Sequence, residues 1–329
     1  MVFGGPVILV VLVSGCAGFV GAWLISKYGR SLRLEDYPGP RSSHASPVPK
    51  GGGLGVLAAF VLVCILAQAP TGLWIPAVIV SLLGLAGDRA HIEPKVRLAV
   101  QFAAALVSVL SLHLAPLYIL PAMVFMVGTA NFFNFMDGIN GIAGLTGVAA
   151  FCLLGAFAYA RAPSNLEATI SFGLAAACVG FLPFNLPRAR VFMGDVGSIL
   201  LGYVFAWAVL RLSASPTCFL CLCAFLFTFY ADELTTMFVR LRDGENLLHP
   251  HRRHLYQLLV NELGVAHWKV SLGYALAQIA VGLCAWQFSR QGAGAILVML
   301  VFASVLFWAY NSRLRYRLSG DCERYPIEH

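Results

Sequence analysis

Eleven mostly apolar stretches divide this 329-residue chain, and most are about as long as a bilayer-crossing helix. They run over 5–26, 52–69, 72–87, 97–114, 116–134, 141–160, 167–186, 196–212, 216–239, 268–288 and 292–311. Hydrocarbon offers backbone N–H and C=O groups no water, so runs of this length must satisfy their own groups as helices. With 59% hydrophobic and 11% charged residues, the chain also lacks the polar surface of a soluble globule. The fold class expected is all-α: a polytopic membrane helical bundle of about 11 transmembrane helices, forming one integral membrane domain over residues 1–329.

Charge sets the orientation. No basic residue precedes the first run, whereas Lys27, Arg30 and Arg33 follow it. The run is too long for a signal-peptide core and lacks a clear cleavage site, so it is expected to stay as an anchor with the N-terminus outside. Alternation from there puts nineteen Lys and Arg residues on inner connections and the tail, and leaves only Arg161, Arg211 and Arg290 outside. The C-terminus is then cytoplasmic, and the net charge of +7 reflects topology rather than nucleic-acid binding. Asp88, Asp137, Asp195 and Asp232 all fall at cytoplasmic ends of spans, and only Glu167 of the 15 acids falls outside. A transporter of a lipid-linked sugar or an anion, the alternative from another class, would more often hold acids at mid-membrane. The cysteines lie mostly in apolar runs without His neighbours and read as packing thiols.

The chemistry-bearing residues sit in the inner connections. Residues 131–144 read NFFNFMDGINGIAG, with Asn131, Asn134, Asp137 and Asn140 three apart, so that neighbours share a helix face. Asp137-Gly138 should break the helix. Four oxygen-bearing side chains in ten residues suit a hydrophilic or cation-binding site. Loop 27–53 ends in RSSHASPVPKGGG, where Arg41, His44 and Lys50 suit phosphate or a base and the three glycines would admit a ligand close to the backbone. Asp88 lies where the third run meets water, and its surroundings can tune it as a base or a cation partner. In NLPRARVFMGDVGS, Asp195 reads either as a helix N-cap or as a metal carboxylate beside a helix start that favours phosphate, with Arg188 and Arg190 adding donors. The longest inner loop carries HPHRRHLYQ, whose arginine forks and imidazoles suit a diphosphate better than structural zinc.

Together these blocks resemble the polyprenyl-phosphate N-acetylhexosamine-1-phosphate transferases, glycosyltransferase family 4. RSSHxxPxPxGGG, GxxxDxxxxxxKxRxxxQ, NxxNxxDGxNGxxG and NxPxxxxFMGDxGSxxLG occur in the family's order between about residues 30 and 260, and HPHRRHLYQ is similar to the histidine loop of bacterial O-antigen-initiating members. The resemblance implies that a UDP-N-acetylaminosugar gives its sugar 1-phosphate to undecaprenyl phosphate, releasing UMP. The reaction would occur at the cytoplasmic face of the bacterial inner membrane and depend on magnesium, with manganese as the alternative. It also implies that Asp195 and Asn134 lie at the metal, Asn140 and Asp137 in the uracil pocket, and Arg252, Arg253 and His254 at the diphosphate or sugar. Asp88 would lie at the acceptor phosphate. Asp88, Asp195 and His254 are the catalytic candidates, and His44, Lys50, Asn131, Asn185, Arg188 and His251 complete the substrate-binding set. A homodimer is common in the family. One departure stands out: relatives usually carry two adjacent acids where this chain has Gly87-Asp88, so a member that binds UDP-sugar without turnover is a further alternative.

Overall fold

The structure is a computed structural model, and it describes residues 5–39, 43, 46–90, 92–162, 166–246, 249 and 251–324. In chain order the helices are α1 (Gly5–Tyr28), α2 (Leu54–Leu66), α3 (Thr71–Arg89), α4 (Pro94–Leu110), α5 (Pro116–Phe135), α6 (Ile142–Arg161), α7 (Leu166–Asn185) and α8 (Asp195–Leu212). They continue with α9 (Pro216–Cys223), α10 (Phe227–Arg242), α11 (Leu255–Asn261), α12 (His267–Phe288) and α13 (Ala293–Arg324). A short antiparallel pair, β1 (Glu35–Asp36) and β2 (Val48–Pro49), joins α1 to α2.

Every expected apolar run is helical, but not all are equally long. Among the described residues nine segments are long and apolar enough to cross a membrane, with α9 and α10 counted as one run broken by a 3₁₀ turn at Ala224–Leu226. The other two are shorter. α2 has 13 residues and α4 has 17. At about 1.5 Å per residue, α2 spans only about 20 Å of a hydrocarbon core roughly 30 Å thick. The count of eleven therefore becomes nine long helices and two shorter ones.

The helices alternate in direction. The C-terminal parts of α1, α3, α5, α7, α10 and α13 meet the N-terminal parts of α2, α4, α6, α8 and α12 at one end of the bundle, where side chains and loops tie them together. α8 is the core: nearly all of it is buried, as expected of a helix apolar on every side. α13 is the opposite, exposing Leu297, Val298, Val301, Phe302 and Leu306 to what would be lipid. Some buried polar groups on the helices are paired across the bundle. Thr228 Oγ1 donates to Gln278 Oε1 at 2.8 Å, and Gln278 Nε2 donates to the Thr146 carbonyl at 3.2 Å. At the other end of the bundle Arg211 Nε meets the buried Glu167 carboxylate at 3.1 Å.

Candidate functional site

Two loops far apart in sequence are zipped together, and this sets the site's frame. Phe192 N donates to Pro49 O at 2.8 Å, Gly51 N and Gly52 N donate to Phe192 O at 3.1 and 2.9 Å, and Gly53 N donates to Met193 O at 2.9 Å. A Cβ on Gly53 would lie 2.4 Å from Gly197 Cα. The glycine triplet thus admits the 192–197 backbone, not a ligand as the sequence suggested. On the other side Gly141, at φ +88°, turns the chain into α6, and its N–H donates to Asn185 Oδ1 at 2.6 Å.

These two loops and the ends of α3, α4 and α5 deliver a cluster of ions. Asp88 Oδ2 accepts from the Asp195 backbone N–H at 3.1 Å, while its Oδ1 lies 3.2 Å from Lys50 Nζ. Asp195 Oδ1 accepts from Asn134 Nδ2 at 2.8 Å, and its Oδ2 takes the Arg97 guanidinium. Asn134 Nδ2 also reaches Ser198 Oγ at 2.9 Å. Gly194, not Asp195, is the N-cap of α8, and the Asp195 side chain turns away to its neighbours, so the N-cap reading of this residue falls. Asp137, on the turn after α5, belongs to the same electrostatic unit. The protein packed around it, followed by the charges of Asp195 and Asp88, raises its carboxyl well above the ordinary range.

Beside this cluster, joined to it by the 187–195 loop, lies a cleft of about 580 Å³. Asn140, Arg188, Phe192, His267 and Trp268 are among its lining residues. Asn140 and Arg188 thus fall where a nucleotide fits by size. Asp137 does not line the cleft, which separates it from Asn140. His44, expected at the substrate, lies outside the described residues.

Three of the other residues expected at the substrate, Asn185, Asn131 and Arg253, meet partners within the protein instead. Asn185 is 5% exposed, with both amide ends on backbone: Oδ1 on Gly141 N and Nδ2 on Val191 O at 2.9 Å. It clamps two loops. Asn131 Nδ2 donates to Gln101 Oε1 and to the Val127 carboxyl-side carbonyl oxygen, both at 2.7 Å, which ties α5 to α4. In the histidine loop, Arg253 is held by Asp243 and Glu245. Those acids lie eight to ten residues upstream, and they consume the fork expected to meet diphosphate. His254 is 2% exposed, with Nδ1 3.7 Å from Asp232 and Nε2 3.4 Å from Glu233. It contacts neither Asp88 nor Asp195 in the hydrogen-bond and ion-pair network described, which argues against a catalytic role. His251 and Arg252 are half-buried. Burial, then the nearby His254 and Arg240, lowers His251 to about 4, so the ring is neutral at neutral pH.

What holds this loop is Asp232, which is fully buried. Its carboxylate accepts from Leu255 N at 2.8 Å, Tyr274 Oη at 2.6 Å and Thr236 Oγ1 at 3.2 Å, and so fastens the start of α11. Tyr256 Oη then donates to Phe135 O at 3.0 Å, linking the loop to the end of α5. Sequence reasoning gave no role to Arg97 or His267. The K-x-R spacing pointed at Arg97, but His267 is only the first residue of an apolar run and carries no local signal.

A metal fits part of this arrangement. Among the described residues no three His, Cys, Asp or Glu side chains form a ready-made cage. Magnesium does not need one, since it is usually held by one or two carboxylates together with substrate phosphates. The adjacent Asp195 and Asp88, with the Asn134 amide beside them, are a donor set of that hard-oxygen kind.

Fold and site thus describe a multi-pass membrane protein with an ionic cluster and a nucleotide-sized cleft at one end of its bundle. Residues 70–213 match the family model for glycosyl transferase family 4. The chain is 30% identical to the decaprenyl-phosphate N-acetylglucosaminephosphotransferase of Mycobacterium tuberculosis, over 72% of this chain and 71% of that protein. It is 29% identical to the protein of the same name from Mycobacterium leprae, over 88% and 86%. It is 28% identical to the undecaprenyl-phosphate alpha-N-acetylglucosaminyl 1-phosphate transferase of Thermotoga maritima, over 76% and 80%. The chain belongs to glycosyl transferase family 4 and is an enzyme.

Proposed function

We propose that this enzyme transfers an N-acetylaminosugar 1-phosphate from a UDP-sugar to undecaprenyl phosphate and releases UMP. This step would start O-antigen or a related surface polysaccharide. The observation that carries the reading is the convergence of Asp88, Asn134 and Asp195, with Lys50 and Arg97, next to the cleft lined by Asn140 and Arg188. An oxygen of the acceptor phosphate attacks the sugar-side phosphorus of the donor. A new P–O bond forms, the bond to the bridging oxygen breaks, and its electron pair leaves with UMP. The anomeric bond is untouched. The acceptor phosphate, with a second pKa of about 6, is largely dianionic at neutral pH and needs no strong base. Asp88, fixed by Lys50 and the Asp195 amide, therefore acts by position. Lys50 and Arg97 offset phosphate charge at the reacting end, while Arg188 meets the nucleotide in the cleft. Asp195, beside Asn134, would hold magnesium, which supplies charge neutralisation on the diphosphate and the leaving group.

The alternating helix directions, together with the excess of Lys and Arg on the connections at the site's end, support an N-terminus outside, a C-terminus in the cytoplasm and a site on the cytoplasmic face of the inner membrane. The relatives' names put N-acetylglucosamine first among donors to test, ahead of the 6-deoxy aminosugars that the HRRHLYQ loop suggests. The test combines purified protein with a panel of UDP-sugars, magnesium and undecaprenyl phosphate. UMP release that requires the lipid supports the enzyme. Nucleotide binding without UMP would support a non-catalytic member, the reading that Gly87 motivates.

A further inference from the structure

A groove of about 340 Å³ lies between α6 and α12, away from the ionic cluster. We propose that it seats one acyl chain of an anionic phospholipid of the bilayer, with Lys269 and Trp268 at the level of the headgroup.

The groove follows from two stripes. Leu145, Cys152 and Ala156 share one face of α6, and Leu272, Leu276 and Leu283 share one face of α12, at spacings of four and seven residues. Both helices begin at the site's end of the bundle, so the two walls run side by side away from it. The floor is closed. Gln278 Nε2 donates to the Thr146 carbonyl at 3.2 Å, and a Cβ on Gly282 would lie 2.6 Å from Leu153 Cδ1. The rim stays open, with Leu276 57% and Leu283 52% exposed. No charged residue lines the groove. From Leu272 to Trp286 it runs about 21 Å at 1.5 Å per residue, against roughly 15 Å for half of the hydrocarbon core. A chain of one leaflet therefore fits along it.

The two ends choose the occupant. At the far end the Trp286 ring is pinned edge-on to Phe157, with centroids 5.4 Å apart. At the site's end, one turn before Leu272, stand the exposed Trp268 and Lys269. Lys269 Nζ lies over the Trp268 ring, 5.7 Å from its centroid. Lys269 makes no ion pair among the described residues. An ammonium lacking a carboxylate, beside an amphipathic indole and above an apolar groove, matches an anionic headgroup with its chain below. A second copy of this chain would have to bury that ammonium, which is costly without a partner. Ser271 on the same stretch of α12 donates to the Asn140 carbonyl at 2.8 Å, so a lipid in the groove also braces a wall of the cleft.

The test is native mass spectrometry of delipidated native protein and variants titrated with phosphatidylglycerol or with phosphatidylcholine, alongside thermal unfolding. The native chain should retain one phosphatidylglycerol about fivefold more tightly than phosphatidylcholine, the size expected of one lysine near an anionic headgroup. It should also unfold at a higher temperature with that lipid bound. Lys269→Glu should abolish the preference while leaving phosphatidylcholine binding as it was. Cys152→Trp, which fills the groove from an exposed position, should lose the retained lipid of either kind. If Cys152→Trp does not fold, Lys269→Glu on the exposed surface decides the question alone. A Lys269→Glu protein that keeps the native preference, or a folded Cys152→Trp protein that keeps the native lipid count, would overturn the inference. Displacement of the phosphatidylglycerol mole for mole by undecaprenyl phosphate would give the groove to a polyprenyl chain and overturn it too. So would a native dimer that Cys152→Trp splits, which would give the groove to a second copy.

Discussion

Asp195 and Asp232 lie toward the same end of the bundle, and each carboxylate accepts several hydrogen bonds, yet they are built for different tasks. Asp195 keeps 24% of its side chain exposed, and its side-chain partners, Arg97 and Asn134, are on other helices. Asp232 is fully buried, and its carboxylate is taken up by the backbone of α11 and two hydroxyls. A partly exposed carboxylate facing a long cationic side chain can exchange that partner for a cation or a phosphate-bound ion. A buried one holding peptide N–H groups cannot let go without leaving those donors unsatisfied, at about 1–3 kcal/mol each. On the proposed function, chemistry falls to the first aspartate and architecture to the second. The comparison also moves His254 and Arg253 from the reacting groups to the scaffold.

The largest effect should come from the side assigned to chemistry. Asp195→Asn keeps the shape and removes the charge, and turnover should fall by about a hundredfold or more, roughly 2.7 kcal/mol. The unfolding temperature in detergent should barely move, and near-native turnover would place Asp195 with the scaffold. Asp88→Asn should cost somewhat less, at least about tenfold in UMP release, because a single uncharged amide oxygen must replace the two carboxylate oxygens that serve Lys50 and the Asp195 amide. Asp232→Asn should do the reverse of Asp195→Asn. It should lower the unfolding temperature clearly, while turnover per folded molecule falls by less than about tenfold, and the opposite pattern would erase the distinction.

Smaller effects sharpen the same contrast. Arg253→Ala should change donor KM by less than about threefold, because its guanidinium already serves Asp243 and Glu245; a tenfold rise would return it to the diphosphate. Gly87→Asp should alter the rate by less than about tenfold, or 1.4 kcal/mol. A Cβ there would lie 3.7 Å from Arg97 Nη1, an ordinary contact, so the new acid fits. It would compete with Asp195 for that arginine. An inert native chain rescued by Gly87→Asp would reverse this expectation.

Much of this was legible in the sequence. The helices follow from eleven apolar runs, and the order of the polar blocks led to Asp88, Asn134 and Asp195, which do come together. What was not legible is how each polar side chain divides its hydrogen bonds. Asn185 looked like a ligand residue because its block is polar, but partners 44 residues upstream and six downstream take both ends of its amide. Arg253 had its acids in plain view at Asp243 and Glu245, yet only loop closure shows that they meet. The GGG triplet signals close approach without saying to what. His267 joins the cleft solely through the way α12 packs against the Asn140 turn. Such pairings are set by tertiary packing, which local pattern does not encode.

The central claim is that the bond broken lies between the two phosphorus atoms, at the Asp88–Asp195 cluster. The most direct measurement uses UDP-N-acetylglucosamine radiolabelled at the sugar-side phosphorus, incubated with purified native protein, magnesium and undecaprenyl phosphate. The account predicts that the label moves into the lipid fraction while unlabelled UMP is released in equal amount. Labelled UDP as the product, with sugar on the lipid but no label, would mean cleavage at the anomeric bond and would contradict it.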